Sequence, residues 1–323
     1  GQLHQLDAED VPLREAACRV LAAPLVSTID IPGFDRATMD GYAVVADCTE
    51  GATPYNPIPM KIVGDALPGS PFDRTVGRGE AVRIMTGAPM PAGSDAVLPA
   101  EWVESDAQAS DRLVAVSTVS PGKHVGHRGE DIVAGTTVLE AGRVLRPQDL
   151  GVMSSIGIGH TSVVRRPRVR LVITGNELLP SGSQPHDFHI TDANGPMLTA
   201  LAERDGAIVD FPGLVRDEPD DILSGLRASA DIVIVSGGSS VGIEDLAPTL
   251  VAAHGELAVH GVAMRPSSPT GLGRIEHRLI FLLPGNPVSA LCAYDFFAGR
   301  AIRALGGRAK EWPYRLVRAT LAR

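Results

Sequence analysis

The strongest constraint on the fold lies after Pro167, where apolar runs alternate with stretches that have helical patterns. The apolar runs are RVRLVITG, AIVDFPG, DIVIVSGG and LIFLLPG, and we predict helices over 194–205, 219–229, 245–254 and 287–304. Alternating strands and helices favour a parallel sheet with helices on both faces. Ligands bind such sheets at the carboxyl ends of the strands. We therefore expect a doubly wound α/β domain over 167–307, with a site formed by the loops TGNELLPSG, SGGSSVGIED and LPGNPVSA.

The sequence before Pro167 has a different character. Between 51 and 131, short apolar runs such as MKIVG and AVRIMTG are separated by Gly, Pro, Asp and Ser turns, which is typical of a small β-rich domain. The stretch 8–22 predicts a helix that Asp10 caps and that carries Pro12 in its first turn. The final WPYRLVRATLAR has the alternation of a strand that begins a further β domain.

Composition excludes several classes of function. The net charge is −9 and there are no basic runs with interleaved aromatic residues, so a general affinity for nucleic acid or an anionic membrane is not expected. The three cysteines, Cys18, Cys48 and Cys292, have no CxxC spacing, which suits a reducing compartment and excludes a structural zinc site of that type. No apolar run reaches the length of a membrane span and the start lacks a signal pattern, so we expect a cytoplasmic protein.

Two glycine-rich loops could hold an anion through backbone NH groups. In DIVIVSGGSSVG a buried strand leads into Gly237, Gly238 and Gly242, and in LLPGNPVSA Asn286 can cap a helix that starts at Pro287. Taken alone, the first loop fits an ordinary tight turn better than an anion site, and the second fits a helix cap without a ligand equally well. The sequence has no P-loop motif, no GxGxxG at the first helix of the sheet, no HExxH and no GxSxG, so a P-loop NTPase, zinc catalysis and a nucleophile elbow are not indicated.

Carboxylates recur in glycine-flanked turns, at Asp40, Asp131, Glu177, Asp217 and Asp245. Taken singly, such residues usually face solvent or cap a turn. One or two of them together with substrate phosphates would nevertheless suit a magnesium ion.

Seven motifs in order carry a resemblance to a known family: FDRATMDGYAV, RIMTGAPMPAGSDAV, RGEDI, TGNEL, DANGPML, SGGSSVG and LPGNPVSA. From about residue 8 to the end, the chain resembles the MoeA family of molybdopterin molybdenumtransferases, to which the E domain of gephyrin also belongs. Asn176 stands where the family usually has Asp.

The resemblance implies an elongated homodimer with several domains in each chain. It implies a segmented linking domain over 23–50 and 132–166, an inserted β-rich domain over 51–131, and a MogA-like α/β molybdopterin-binding domain over 167–307 on which helix 8–22 packs. Residues 308–323 would start a C-terminal β domain that is otherwise mostly absent from this chain.

The resemblance also implies the activity and its partners. Enzymes of the family take molybdopterin-AMP (adenylylated molybdopterin) and molybdate, release AMP in a step that needs Mg²⁺, and leave molybdenum on the dithiolene. A MogA-like molybdopterin adenylyltransferase acts upstream.

The family's site residues carry over to matching positions in this sequence. The catalytic carboxylates would be Asp40, Asp131, Glu177, Asp217 and Asp245, with Glu177 and Asp245 on the metal and with Asp40 and Asp131 reaching the site across the dimer interface. The cofactor-binding positions would be Thr174, Gly175, Ser236, Gly237, Gly238, Ser239, Ser240, Gly242, Arg265, Pro284, Gly285, Asn286, Pro287 and Ser289.

One loop departs from the family pattern. The family loop resembles K-x-x-x-K-P-G-K-P, and the corresponding positions here are Gly261, Arg265, Pro266, Ser267, Ser268 and Pro269, so one basic group remains where the family has three. Lysine charges suit an oxyanion such as molybdate, and the preference between molybdate and tungstate stays open. A transferase with an altered loop is the leading interpretation. A paralogue that binds the molybdopterin nucleotide as a carrier, scaffold or regulator is the alternative, and a CinA-like pyrophosphate hydrolase is disfavoured by TMDGYAV and the inserted β region.

Overall fold

A computed structural model of the chain describes residues 3–105, 110–237 and 246–320. The chain forms two compact units. The first, called here the α/β unit, comprises Gly1–Ala23, Glu140–Gly151 and Gly159–Arg323, and the second, the β-rich unit, comprises Pro24–Leu139 and Val152–Ile158. Within the described residues, no helix is both long enough and apolar enough to cross a membrane.

The strands in chain order are β1 Ala8–Pro12, β2 Leu25–Val26, β3 Arg36–Ala37, β4 Gly41–Val44, β5 Ile58–Ala66, β6 Glu80–Ile84, β7 Ala96–Pro99, β8 Val103–Ser105, β9 Arg112–Ala115, β10 Val125–Gly126, β11 Thr137–Leu139, β12 His160–Val164, β13 Arg168–Thr174, β14 Leu178–Leu179, β15 Ile190–Thr191, β16 Ile208–Asp210, β17 Leu214–Val215, β18 Ile232–Ser236, β19 Glu256–His260, β20 Gly271–Ile275 and β21 Arg278–Leu283.

The helices are α1 Pro147–Ser155, α2 Asn194–Arg204, α3 Pro219–Leu226, α4 Leu246–His254, α5 Pro287–Ala293 and α6 Gly299–Leu305. Short 3₁₀ turns cover Leu13–Glu15, Ala46–Thr49 and Ala100–Trp102, and a π-helical segment, Tyr294–Ala298, joins α5 to α6.

A seven-stranded sheet forms the centre of the α/β unit, in the order β16-β13-β18-β21-β20-β19 with β17 also beside β13. The strands from β16 to β21 pair in parallel, whereas β20 pairs antiparallel with both β21 and β19. The predicted α/β fold with a parallel centre is confirmed, and the antiparallel edge is a feature that the sequence pattern did not indicate.

The sheet buries alternate residues on its two faces, as the two-residue period of a strand requires. Leu171 and Ile234 face one core with α2, α5 and α6, while Val172 and Val233 face the other with α3 and α4. Strands covered on both faces are apolar throughout, which is why DIVIVSGG and LIFLLPG are continuous apolar runs.

The β-rich unit contains a six-stranded sheet in the order β7-β4-β6-β5-β9-β8. Its strand β4 pairs antiparallel with both β6 and β7. The sheet therefore joins Gly41–Val44, which we assigned to the linking domain, to strands of the predicted β-rich domain, and the predicted domain bounds stay a prediction. The pairing partners of residues 41–44 in β6 lie about forty residues further on in sequence, so the turns that follow β4 do not indicate this pairing.

The predicted N-terminal helix over 8–22 is not formed. Residues Ala8–Pro12 make β1, which pairs antiparallel with His160–Val164, and a single 3₁₀ turn follows. Val20 and Leu21 are buried, as the helical pattern required, but they lie in extended bridges to Val144 and Val163. The distant strand supplies backbone partners that overrode the local helical preference.

The predicted C-terminal strand is also absent from the described residues 308–320. Within the α/β unit, this segment lies against α2 and the π-helical segment through aromatic contacts. The Trp312 and Phe296 ring centroids are 4.9 Å apart, and the Arg204 guanidinium lies 5.2 Å from the centroid of the Tyr314 ring. An alternating sequence forms a strand only where another strand pairs with it.

Candidate active site

The carboxyl ends of β13, β18 and β21 lie side by side in the α/β unit. Ile173 pairs with Ser236, and Ser236 pairs with Leu283, so the loops after these strands start at one level. Strand β19 runs in the direction of β21, because both are antiparallel to β20. The loop 261–270 therefore leaves the sheet at the same edge, as a ligand-binding loop of an α/β sheet would.

These loops surround a cleft with two adjoining lobes. The first lobe, about 460 Å³, is lined by Ile173, Thr174, Glu177, Leu178, Ile190, Thr191, Asp192, Ala193, Asn194, Ser236, Gly237, Gly285, Asn286 and Pro287. The second lobe, about 520 Å³, is lined by Glu177, Gly237, Pro266, Ser267, Ser268, Pro269, Pro284, Gly285, Asn286 and Ser289. The two lobes share four residues, namely Glu177, Gly237, Gly285 and Asn286.

The structure brings most of the predicted binding residues together in this cleft. Of the described ones, only Gly175 and Arg265 line neither lobe. Gly175 directly follows β13 and lies beside Glu177. A β-carbon at position 175 would stand only 2.8 Å from the carboxylate of Glu177. Arg265 is exposed and lines neither lobe, so the basic residue of the loop 261–270 does not contribute to the cleft wall.

Gly237 occupies the point where β18 enters the cleft. Its φ of +99° lies in the left-handed region, and a β-carbon there would stand 1.8 Å from the carbonyl oxygen of Thr174. Only glycine avoids that overlap. The steric requirement explains the first glycine of the SGGSSVG motif without reference to a ligand.

Asn194, at the start of α2, connects two of the cleft loops. Its Nδ2 donates to Ser236 Oγ at 2.9 Å and to the carbonyl oxygen of Gly285 at 2.7 Å. Ser236 Oγ in turn donates to the carbonyl oxygen of Pro284 at 3.2 Å. This chain of hydrogen bonds holds the carboxyl ends of β18 and β21 against α2.

Our site prediction did not include Asn194 or its neighbour Asp192. Both side chains are buried, and Asp192 accepts a hydrogen bond from the Gly195 amide at 2.9 Å, which orders the first turn of α2. The available signal was the motif DANGPML, which contains both residues. Its polar residues could not be told from ordinary helix-capping residues in the sequence.

The altered loop has its own internal support. Ser267 adopts a φ of +99°, a conformation that favours glycine. Its buried hydroxyl donates to the carbonyl oxygen of Ser289 at 2.6 Å, and Thr270 Oγ1 donates to the Ser267 carbonyl at 2.8 Å. These bonds fix the loop against α5 and offset the strained backbone.

The carboxylates differ in their surroundings. Glu177 is exposed and lines both lobes. Asp217, which follows β17, accepts a hydrogen bond from Thr174 Oγ1 at 3.1 Å and lines neither lobe. Glu177 is therefore the carboxylate best placed to meet a ligand, while Asp217 orients a residue of the cleft wall.

Asp40 and Asp131 belong to the β-rich unit. Asp40 accepts hydrogen bonds from the amide and the hydroxyl of Thr86, both at 2.8 Å, and these bonds hold its pKa below the usual value. Asp131 lies 3.8 Å from the guanidinium of Arg36 in an exposed pair. Both side chains thus have partners within their own unit.

Five predicted residues, Gly238, Ser239, Ser240, Gly242 and Asp245, lie outside the described residues. Within 3–105, 110–237 and 246–320, no group of three or more His, Cys, Asp or Glu side chains could hold a metal ion. A magnesium ion that takes most of its ligands from phosphates and water needs only one or two protein carboxylates. Glu177 fits that requirement as one ligand.

Comparisons with known proteins match both halves of the chain. Residues 2–157 match the family described as MoeA N-terminal region (domain I and II), and residues 170–304 match the family described as probable molybdopterin binding domain. The chain is 34% identical over 328 residues to the molybdopterin molybdenumtransferase of Staphylococcus aureus strain MSSA476, an alignment that covers 99% of this chain and 77% of that protein. It is 37% identical over 306 residues to molybdopterin molybdenumtransferase 2 of Mycobacterium tuberculosis strain H37Rv, covering 92% and 75%.

A solved structure agrees with these matches. The molybdopterin biosynthesis MoeA protein of Pyrococcus horikoshii superposes with a TM-score of 0.80 at 33% identity, covering 95% of this chain and 78% of that one. Sequence and fold agree over almost the whole chain, and the chain belongs to the MoeA family of molybdopterin molybdenumtransferases.

Proposed function

We propose that this chain is a transferase of molybdenum cofactor biosynthesis, which uses adenylylated molybdopterin and molybdate, releases AMP and leaves molybdenum on the dithiolene. The observation that carries the proposal is the two-lobed cleft at the carboxyl edge of the sheet, in a chain that belongs to this family. A cleft with two lobes suits a substrate that has a heterocycle at one end and phosphates at the other.

The residues of the cleft have different roles, which follow from their chemistry. The hydroxyls of Ser268 and Ser289 offer neutral hydrogen-bonding groups in the second lobe to an oxyanion or a phosphate, whereas the Ser267 hydroxyl already donates to the Ser289 carbonyl. Gly237 and Gly285 keep the floor of the cleft free of side chains, so a ligand can approach the backbone closely. Asn286 caps α5 through the amides of Val288 and Ser289 and thereby fixes the LPGNP loop.

Magnesium is part of the proposal, with Glu177 as a ligand from the described residues and Asp245 as a second. When bound, the ion neutralises phosphate charge and assists departure of the AMP group. We also propose a cytoplasmic homodimer in which Asp40 and Asp131 complete the site of the partner subunit. A reaction that adenylylates molybdopterin, as a MogA-like enzyme does, must supply the substrate.

The test is AMP release from purified adenylylated molybdopterin with magnesium, titrated with molybdate and separately with tungstate. We expect saturable release with the wild-type chain. In the variant Glu177→Gln, release should fall by at least about tenfold, the loss typical of a disturbed metal site. Glu203→Gln is the matched control, because Glu203 is an exposed residue of α2 that lines neither lobe.

Three results would contradict the proposal in different ways. Absence of AMP release from the wild-type chain would exclude the transferase and favour the carrier alternative. Release that does not depend on an oxyanion would indicate hydrolysis of the nucleotide without metal transfer. Equal activity in Glu177→Gln and Glu203→Gln would remove Glu177 from the metal site.

A further inference from the structure

A tight turn next to the first lobe carries two histidines with adjacent rings. His186 and His189 form an antiparallel bridge around a two-residue loop, and the His189 amide donates to the His186 carbonyl oxygen at 2.9 Å. Residues directly opposite each other in an antiparallel pair project to the same face. The ring centroids of this histidine pair accordingly lie 5.2 Å apart, with 42° between the ring planes. The turn leads directly into Ile190 and Thr191, which line the first lobe.

The separation of the two rings matches that of imidazoles that bind the same metal ion. A zinc–nitrogen bond is about 2.0–2.1 Å long and the ring centre lies about 1.1 Å beyond the nitrogen, so each centroid would stand about 3.2 Å from the ion. At the tetrahedral angle of about 109°, the two centroids are then about 5.2 Å apart. The backbone pairing of His186 and His189 therefore holds the rings at the spacing of a shared pair of ligands.

The residue between the two histidines supports this arrangement. Asp187 Oδ2 lies 3.3 Å from His186 Nδ1. An ionised carboxylate can only accept, so Nδ1 carries the proton and the lone pair of the neutral ring lies on Nε2. A carboxylate behind the imidazole is the usual support of a metal-bound histidine. The φ of +50° at Asp187 is the left-handed conformation that a two-residue hairpin loop requires at its first position.

The ligand atoms decide which class of ion the turn can bind. Imidazole nitrogens suit zinc, nickel and copper, whereas magnesium prefers oxygen ligands. Both histidines are exposed, so an ion can reach them from solvent. Over 3–105, 110–237 and 246–320, no third His, Cys, Asp or Glu completes a metal-binding group. Water or a group of another molecule would fill the remaining positions, and an ion held in this way can exchange.

We propose that His186 and His189 form a site for an exchangeable divalent transition-metal ion of the zinc, nickel and copper class. The site differs from the magnesium site of the proposed function in both its ligands and its ion. It does not depend on that function, and it is tested by binding without turnover.

The experiment is a calorimetric titration of the full chain with Zn²⁺ in an excess of Mg²⁺, which occupies sites made of oxygen ligands. In His186→Ala and in His189→Ala the zinc affinity should fall at least about tenfold, because loss of a group that merely orients a ligand already costs about 10–100-fold. Asp187→Asn keeps a residue type that tolerates the left-handed backbone but removes the charge behind His186. Its affinity should lie between those of the wild type and His186→Ala.

Two controls separate the histidine pair from other exposed ligands. His277→Ala removes an exposed histidine outside the pair, and Cys18→Ser removes an exposed thiol that also suits zinc. Both variants should keep the wild-type affinity. The substituted side chains are exposed, so the core stays intact, and an unchanged unfolding temperature without zinc verifies this.

Three results would overturn the proposal. The first is absence of zinc binding by the wild-type chain. The second is wild-type affinity in both His186→Ala and His189→Ala. The third is an equal loss in His277→Ala, because zinc would then bind separate surface histidines and not the pair.

Discussion

At the scale of single residues, the cleft depends on two positions with left-handed backbone. Gly237 and Ser267 both have a φ of +99°. At the first position a side chain is excluded by the Thr174 carbonyl, whereas at the second there is room for a hydroxymethyl group that bonds to Ser289. The same φ angle is therefore adopted by glycine where there is no room for a side chain. Where there is room, it is adopted by a serine whose hydroxyl makes a hydrogen bond.

The overlap with the Thr174 carbonyl predicts that Gly237→Ala lowers the free energy of unfolding by much more than the backbone strain of a left-handed alanine alone. Gly182 has a φ of +90° and open space around its α-carbon, so Gly182→Ala should cost only the strain of about 1–2 kcal/mol. Gly237→Ala adds the clash at Thr174 and should lower the free energy of unfolding further, as urea denaturation would measure. Equal losses in the two variants would show that the end of β18 can move away from β13.

The altered loop leads to a second prediction at this scale. Ser268 is exposed and lines the second lobe, and the resemblance to the family predicts a lysine at this position in its relatives. Ser268→Lys should lower the half-saturating molybdate concentration by about tenfold, because a charged donor binds an anion more strongly than a hydroxyl. The gain should shrink at high salt.

Ala252→Lys provides the control for net charge, since Ala252 is an exposed residue of α4 that lines neither lobe. An equal gain in both variants would mean that the lysine acts through overall charge. No gain in Ser268→Lys would mean that the oxyanion binds elsewhere.

Residue types were easier to predict than their contacts. Glycine-rich loops and an Asn-Pro helix start were visible as candidate ligand loops, and Asn286 does cap α5. Asn194 was missed because its role depends on Ser236 and Gly285, which are 42 and 91 residues away. No periodicity in the sequence predicts the contact between these three residues.

At the scale of elements, α2 is held at both ends. Asn194 ties its start to the cleft, and Asp205, which follows its last turn, accepts hydrogen bonds from Tyr294 at 2.9 Å and Arg303 at 2.8 Å. Asp205 is 1% exposed, and Tyr294 and Arg303 are also buried. Burial and the nearby carboxylate raise the pKa of Tyr294 far above its usual value, so the phenol remains a neutral donor.

This buried group predicts a large loss of stability in Asp205→Ala. Removal of the carboxylate leaves Arg303 charged and buried, which typically costs about 3–5 kcal/mol. Asp210→Ala breaks the Arg170 ion pair at a far more exposed carboxylate and should cost less than about 1 kcal/mol. Chemical denaturation of the two variants measures the difference, and similar losses would mean that water reaches Arg303.

Elements with local signals were predicted well, and elements that depend on a distant partner were not. The helix predicted over 194–205 closely matches α2, Asn194–Arg204, because a capping turn and an apolar stripe mark it. The helix predicted over 287–304 contains a π segment at its centre. The segment 8–22 has an equally good helical pattern, but pairing with His160–Val164 makes its first part a strand.

At the scale of the whole molecule, the predicted catalytic carboxylates are divided between the two units. Glu177 and Asp217 belong to the α/β unit, while Asp40 and Asp131 belong to the β-rich unit. The fold class and the family were recognisable from the sequence because seven motifs occur in a fixed order. A shared role for these four carboxylates is part of our proposal of a homodimer.

The proposed homodimer makes a quantitative prediction about mixtures of inactive variants. If each site takes Asp40 from one subunit and Glu177 from the other, Asp40→Ala and Glu177→Ala are each inactive alone. Half of the dimers in an equal, fully exchanged mixture are mixed, and each has one intact site and one that carries both changes. The mixture should therefore recover about one quarter of the wild-type rate of AMP release, as the two-fold symmetry of such a dimer requires.

Recovery would have to disappear on dilution below the dissociation constant of the dimer. If the mixture stays inactive although sedimentation shows a dimer whose subunits exchange, the site lies within one subunit, and Asp40 must then meet Glu177 in the same chain or take no part in the reaction.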